Sequence, residues 1–445
     1  NINNSSNDWS SNFKIKIMKV SKNIFLGKKI LIYGLGKSGI STLNFLKKRA
    51  DVYLFDDNKK INQKLINFNH LLKTKFDIII ISPGIDILNC KLSVFLKKNF
   101  SKIYTDLDIF YSFYKNKSIA ITGTNGKSTT AKILYDVLVD QNRDARLIGN
   151  IGNPVLSEKK ISKKTIFVIE ASSYQLDYSK IFSSKYAVIL NISLDHIERH
   201  RNFKNYVNAK FKLLDSQNKQ SFAFVKKNDE IIKKKIIKSK YKQKIYEVDT
   251  LNINKISNQL SNKYFTSDGN KENLSFILQI ASKLKLNNRK LIKTLNNFKG
   301  LKYRQQVIFD NKDLTVINDS KSTSFASSEN ILKNLNNIYW ILGGIPKKGD
   351  KFKLTKKECK NFKAFIFGKY HNQFSKILGN KIKPKKFKNL KETMKKVFFE
   401  IKSKKVTRNV IFFSPAGASF DSFKNFEHRG NYFNQLIKNF IYAKR

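Results

Sequence analysis

Cysteine is almost absent from this chain. Cys90 and Cys359 are the only two in 445 residues, which argues against a disulfide scaffold or a cysteine-built zinc site and suits a reducing cytoplasm. Long apolar runs are missing as well. Stretches such as Phe76 to Ile81 are strand-sized and fall far short of the ~18 residues that a membrane span needs. No membrane span is expected. The N-terminal stretch carries Asn, Ser and scattered Lys without a sustained apolar segment, so no signal peptide is expected. Met18 stands just before the first strand pattern, and residues 1–17 read as a tail or an upstream extension. Acidic residues are few, 33 against 87 Lys and Arg, for a formal charge of +54. Such a charge invites a nucleic-acid reading, but arginine, the side chain suited to phosphate and guanine-edge recognition, is scarce. The lysines are scattered through every segment and accompany an excess of Asn, Ile, Phe and Tyr, all encoded by A/T-rich codons. A solvated lysine surface on an ordinary enzyme explains this composition, with no nucleic-acid partner. The apolar content of 41% is enough for globular cores, and the length allows about three domains.

Short apolar runs alternate with helical patterns along the chain. Lys29 to Tyr33, Val52 to Phe55, Phe76 to Ser82 and Lys102 to Tyr104 read as strands. A second unit opens at Ser118, with strands at Thr165 to Ile169, Tyr186 to Asn191 and Ser221 to Val225 and helices near Glu272 to Leu286 and Arg289 to Asn297. A third follows Gly300, with strands at Leu314 to Ile317, Tyr339 to Leu342, Ala364 to Phe367 and Val410 to Phe413. This βα alternation predicts an α/β protein with parallel sheets. Its expected parts are a tail and lead-in over 1–27 and three domains over 28–115, 116–299 and 300–445.

The most informative stretch is Ile121-Thr122-Gly123-Thr124-Asn125-Gly126-Lys127-Ser128-Thr129-Thr130, between a buried-strand pattern and a helical one. Strand, glycine turn, Lys-Ser/Thr and helix make a phosphate cradle, because amide N–H groups and the positive helix end face the anion. Lys127 can reach the outer phosphates, and Ser128 or Thr129 can hold magnesium. The spacing is a shortened Gly-x-x-Gly-Lys-Ser, with Ile121 where the usual phosphate loop has glycine. Gly34-Leu35-Gly36-Lys37-Ser38-Gly39 follows the first strand, with Asp56 about twenty residues on, as in a dinucleotide fingerprint. A tight βα turn with close-packed glycines would read the same. Ser82-Pro83-Gly84 is another turn at that sheet's carboxyl edge, where ligands of open α/β sheets bind. Glu170 ends a strand as a magnesium ligand or a capping side chain. Asp195-His196 ends the next, with His196 a metal ligand or a structural group. Asn318 to Thr323, Gly343 to Gly349 and Ser414 to Ser419 bring cations and hydroxyls to strand ends, suited to a carboxylate-bearing substrate.

Together these segments resemble the Mur ligase family, the ATP-dependent amino-acid-adding enzymes of peptidoglycan synthesis. The resemblance runs from about residue 28 to 440. It rests on Gly123 to Thr129, Gly34 to Gly39, Glu170-Ala171-Ser172-Ser173-Tyr174-Gln175-Leu176, Asn318-Asp319-Ser320-Lys321 and Ser414 to Gly430. Within the family it points to the branch that adds D-glutamate to UDP-N-acetylmuramoyl-L-alanine (UDP-MurNAc-L-alanine). It implies an N-terminal Rossmann-like domain, a central P-loop ATPase-like domain and a C-terminal Rossmann-like domain. Leu35, Lys37, Ser38, Asp56, Ser82, Gly84, Asn150, Ser172 and Gln175 would serve the UDP substrate. Gly123, Thr124, Asn125, Gly126, Lys127, Ser128, Thr129, Asn270, Asn273, Arg304 and Asp319 would hold or border ATP. Ser128 and Glu170 would bind one Mg2+, and His196 and Lys210 a second, with Lys210 carbamylated. Lys127, His196 and Lys210 would be the catalytic set. Lys321, Thr323, Lys347, Ser419 and Phe426 would surround D-glutamate. Two departures stand out: Gly269 replaces the family's usual His before Asn270, and the His196-to-Lys210 spacing is one residue short. Lys347 is favoured over Lys348 by its distance from Gly344.

The resemblance further implies an acyl-phosphate reaction, cytoplasmic location and a monomer acting in cell wall biogenesis, and so in cell shape and division. A related ligase with another amino acid or a folate substrate, a basic nucleic-acid-binding NTPase, and a dehydrogenase based on the Gly34 loop are the competing readings.

Overall fold

The computed structural model describes residues 23–58, 63–250, 259–347, 349–403 and 408–442; Met18 and Lys348 lie outside them. Among the described residues three large sheets and one two-stranded sheet form, and within the large ones every strand pairing but one is parallel. Strands β1 (Lys29–Tyr33), β2 (Asp51–Phe55), β3 (Ile78–Ile81) and β4 (Ile103–Tyr104) make a parallel sheet of order β2-β1-β3-β4. Strands β5 (Ser118–Thr122), β6 (Ala145–Gly149), β7 (Ile166–Glu170), β8 (Tyr186–Ile189), β9 (Phe222–Lys226) and β10 (Lys244–Val248) make a second, of order β10-β9-β8-β5-β7-β6. The third has β11 (Gln306–Asp310), β12 (Leu314–Asn318), β13 (Ile338–Gly343), β15 (Phe362–Phe367), β16 (Lys385–Phe387) and β17 (Asn409–Phe413), ordered β11-β12-β17-β13-β15-β16. Only β11 is antiparallel within it. Two short segments, β14 (Ile345–Pro346) and β18 (Gly417–Ala418), pair antiparallel beyond its carboxyl edge.

Inner strands are apolar throughout because helices cover both sheet faces. Ile78 to Ile81 is four buried isoleucines, and every residue of β5, β8, β12, β13 and β17 is buried. Strands absent from the sequence reading are mostly edge strands. β6, β10, β11 and β16 flank their sheets, pair on one side only and stay partly exposed, so they tolerate the mixed sequences ARLIG, KIYEV, QVIFD and KKF. The helix after the phosphate loop runs Lys127–Asp140 and the later ones Asp268–Lys283 and Asn288–Asn297.

The chain divides into two compact units. The first runs up to Gln259 and includes Asp268–Ile292; the second is Leu260–Ser267 with the chain from Lys293 onward. The first therefore carries two sheets, joined by one apolar core. The connecting helix Asp106–Phe113 explains this. Its Phe110 ring meets Phe167 of β7 edge-on at 4.8 Å between centroids. Its Asp108, fully buried, accepts at Oδ2 from the Thr105 amide (2.9 Å) and hydroxyl (3.2 Å). Oδ1 accepts from Ser179 Oγ (2.8 Å) and the amides of Lys180 (2.9 Å), Ile181 (2.8 Å) and Phe182 (3.0 Å). In the second unit, cores lie on both sheet faces, one around Trp340 and one where Phe413 stacks on Phe433 at 4.3 Å.

Removing the Asp108 carboxylate strands several buried amides at once. Asp108→Ala is expected to cost about 3 kcal/mol or more, read as a lower denaturant midpoint for amide hydrogen exchange in the strands of the first unit.

Candidate active site

The loop after β5 is built for an anion. Gly126 caps the helix in the left-handed conformation, φ +81°, and a Cβ there would come within 2.0 Å of Asn273 Oδ1, so only glycine permits this approach. That Asn273 oxygen is buried with no protein donor. Asn125 donates its amide to Asn191 Oδ1 (2.9 Å), Asn191 donates to Glu272 Oε1 (2.5 Å), and Glu272 pairs with Lys226. Lys127 Nζ donates back to the carbonyls of Gly123 (2.9 Å) and Thr124 (2.8 Å). Amides at a helix N-terminus beside a lysine attract phosphate oxygens.

Beneath the loop, Ser128 Oγ donates to Glu170 Oε2 at 2.6 Å and Asn150 Nδ2 donates to Oε1 at 2.9 Å. Glu170 is 1% exposed. A buried carboxylate met by a hydroxyl and an amide presents oxygen ligands of the kind magnesium takes.

Lys210, on the helix Phe203–Asp215, is also buried, and its Nζ donates to the Gly123 carbonyl at 2.7 Å. Burial, then the neighbouring Lys127 ammonium, hold its amine well below the usual lysine range. The face of the Tyr206 ring lies 4.5 Å from that amine, and Tyr206 Oη bonds Thr124 Oγ1 at 2.9 Å. His196 sits at φ +53° with Nδ1 2.9 Å from Tyr174 Oη and Nε2 3.4 Å from Asp195. Gly123 to Thr129, Asn150, Glu170, His196, Lys210, Asn270 and Asn273 thus gather around one carboxyl edge. Among the described residues no cluster of three or more His, Cys, Asp or Glu side chains forms a metal cage, so the candidate ligands are a mixed set.

The first sheet contributes a second part. Leu35 donates its amide to Asp56 Oδ2 (2.6 Å), whose other oxygen takes the Asn58 amide (2.8 Å), so Asp56 braces the glycine loop. Lys37 and Ser38 open the helix Lys37–Leu46, and Ser82 Oγ holds the Gly34 carbonyl at 2.6 Å. Gly84 lies exposed in the adjoining turn. Arg199 reaches the Ile85 carbonyl (3.1 Å) and Arg201 pairs with Asp86 (2.5 Å), bringing this turn to the His196 segment. Ser172 and Gln175 cap the helix Ser173–Tyr178 reciprocally at 3.2 Å. Asp106 was not anticipated. Burial pushes its carboxyl up to about 6, against hydrogen bonds from Ser38 and Gln175, so it ties the two loops.

The remaining candidates lie in the second unit. Asp319 accepts from the Gln305 amide (3.2 Å) and Ser414 Oγ (3.1 Å). Burial pushes its carboxyl up to about 7, opposed by those bonds and by Arg304 and Arg429. Lys321 Nζ lies 4.1 Å over the Phe426 ring. Ser419 is buried, Lys347 partly exposed and Thr323 exposed. Tyr206, Asn191 and Asp106 were not among the expected site residues, and Arg429 lay within the Ser414 to Gly430 segment without a role of its own assigned to it.

Residues 121–289 match the Mur ligase middle domain. The UDP-N-acetylmuramoylalanine–D-glutamate ligase of Rickettsia felis is 32% identical over 92% of this chain and 97% of its own length. The chain belongs to the Mur ligase family. The enzyme of the same name from Buchnera aphidicola subsp. Schizaphis graminum is 35% identical, covering 93% of the chain and 98% of that protein. Among solved structures, a MurF ligase from Thermotoga maritima in complex with ADP is similar at TM-score 0.56 and 14% identity, over 94% of this chain and 96% of that one. The MurC UDP-N-acetylmuramate-alanine ligase of the same organism is similar at TM-score 0.55 and 18% identity, over 93% and 99%. These show the multi-domain α/β fold. This Mur ligase is therefore an ATP-dependent, amide-bond-forming enzyme of peptidoglycan synthesis, from a family that uses Mg2+, and the Ser128–Glu170 pair fits that ion. None of its described helices is long and apolar enough to cross a membrane.

Asp319 makes stability depend on pH. An unfolded aspartate loses its proton near 4 and the buried one near 7, so the native state loses relative stability as pH rises between them. The difference amounts to roughly 4 kcal/mol. Asp319→Asn is expected to flatten the fall in thermal midpoint of the second unit between pH 4 and 7; an unchanged slope would count against the assignment.

Proposed function

We propose that this Mur ligase joins D-glutamate to UDP-N-acetylmuramoyl-L-alanine. The similarity to D-glutamate ligases over nearly the whole chain carries this reading, and the Ser419 to Gly430 segment supports it. Residues 28–115 would hold the UDP substrate through the loops at Leu35–Ser38, Asp56 and Ser82–Gly84, with Asn150, Ser172 and Gln175 from the neighbouring domain. Residues 116–299 would bind ATP on Gly123 to Thr129 beside Asn270 and Asn273, bordered by Arg304 and Asp319. Residues 300–445 would bind D-glutamate through Lys321, Thr323, Lys347, Ser419 and Phe426. ATP and a UDP-sugar as substrates suit a cytoplasmic enzyme, and we take it to act as a monomer.

The substrate's carboxylate attacks the γ-phosphorus of ATP and expels ADP. The D-glutamate amine then attacks the acyl phosphate, and the tetrahedral intermediate collapses to an amide and inorganic phosphate. Lys127 offsets charge on the crowded phosphate oxygens. Two Mg2+ ions, one on Ser128 and Glu170 and one near His196 and Lys210, supply further charge neutralisation when bound. Burial and the neighbouring Lys127 shift the Lys210 amine toward its uncharged form, the form that is a nucleophile toward carbon dioxide, and the resulting carbamate is an anionic oxygen ligand, which supports carbamylation of Lys210. Tyr174 orients His196. No protein nucleophile takes part; the chain positions substrates and excludes water.

Purified enzyme with ATP, UDP-MurNAc-L-alanine and a panel of amino acids should release phosphate with D-glutamate. Release with a different amino acid alone would reject the substrate assignment. For the carbamate, Lys210→Ala should lose activity that short carboxylates restore in part, and near-normal turnover of the unsupplemented variant would remove that role.

A further inference from the structure

We propose that Arg429 is a positioning residue for the amino-acid pocket, its buried guanidinium holding together the loops that carry the pocket's side chains. The inference rests on the D-glutamate reading for the identity of that pocket. Arg429 is 0% exposed. It donates from Nε to Ser320 Oγ (3.2 Å), from Nη2 to the Ser320 carbonyl (2.8 Å) and from Nη1 to the Gly417 carbonyl (3.0 Å). Ser320 Oγ in turn donates to the Phe426 carbonyl at 2.9 Å. One side chain thus links the loop after β12, which holds Lys321 and Thr323, to the loop after β17, which holds Ser419, and to the helix start at Phe426. The loop after β13 joins through the β14–β18 pairing, Ile345 with Ala418 and Pro346 with Gly417. It also packs so closely that a Cβ on Gly344 would come within 2.9 Å of Arg429 Nη1.

Stability alone does not account for a cation here. Arg429 lies in the first turn of the helix Phe426–Tyr442, where the macrodipole disfavours positive charge. Burial lowers its pKa to about 10, with Asp421 and Asp319 opposing the fall, so it stays charged at neutral pH. Burying a guanidinium costs several kcal/mol. What that cost secures is geometry: a rigid fork reaching two carbonyls and a hydroxyl on two loops, which a lysine ammonium does not reproduce. Lys321, over the Phe426 ring on loops that this fork joins, is the cation it would hold in place for a carboxylate-bearing amino acid.

The test is steady-state kinetics of the full-length enzyme, varying each of the three substrates in turn. Arg429→Ala is expected to raise KM for D-glutamate by about tenfold or more while KM for ATP and for the UDP substrate stays within about twofold. Millimolar guanidinium should lower the raised KM in the variant but not change the wild type, and Arg429→Lys should fail to restore it. A fall in kcat with all three KM values unchanged, or a parallel rise in all three, would overturn the proposal. Should Arg429→Ala not fold, Ser320→Ala removes the Nε acceptor alone; it must still raise KM for D-glutamate selectively, and an unchanged KM rejects the idea. Failure of the D-glutamate reading is separately visible, because the wild type itself would then show no D-glutamate-dependent turnover, and the variants would be compared on the amino acid that does support it.

Discussion

Two ammonium groups converge on one carbonyl oxygen: Lys127 and Lys210 both donate to Gly123. Two like charges so close, with one fully desolvated, cannot both be retained at low cost. The buried partner yields. Lys210 is displaced toward its neutral form by burial and by Lys127, while Lys127 remains at the mouth of the loop. The same contact fixes the direction of the Gly123 carbonyl and so the path of the phosphate loop. Around it, Tyr206 locks Thr124 with its hydroxyl and faces Lys210 with its ring. Loop shape and amine reactivity therefore have one electrostatic cause.

Buried polar groups recur in both units, two at strand ends and one in the first turn of a helix. Glu170, Asp319 and Arg429 are each held by neutral donors or acceptors. Such groups are costly in a core and persist where structure over-determines them. The carboxyl edge of a parallel sheet is where that is feasible, because successive loops emerge side by side and can supply several partners at once. Asp108 does the same for architecture, accepting from a whole turn and making two sheets one body.

Much of the fold was legible in the sequence. β-branched runs mark the inner strands, since both of their faces are buried. Edge strands such as β6, β10 and β11 were not legible, because half-exposed strands carry mixed residues. The phosphate loop, Glu170 and His196 were readable as strand-end chemistry, and the structure adds Ser128 and Asn150 as hydrogen-bond donors to the Glu170 carboxylate. Ser172 and Gln175 were read by resemblance as substrate groups, and the structure gives both a helix-capping task. Lys210 entered through family resemblance alone, for a lysine inside a helix of a lysine-rich chain carries no signal of its own.

Local patterns and spacing determined the α/β alternation, the position of the phosphate loop and the family, because those depend on neighbours within a turn or a strand. The partners of each charged group were decided only by tertiary structure. Arg429 stands 109 residues from Ser320 and Lys210 stands 87 from Gly123. Burial and pKa are set by whatever packs around a side chain, and here that packing comes from strands far apart in the chain but adjacent in the sheet.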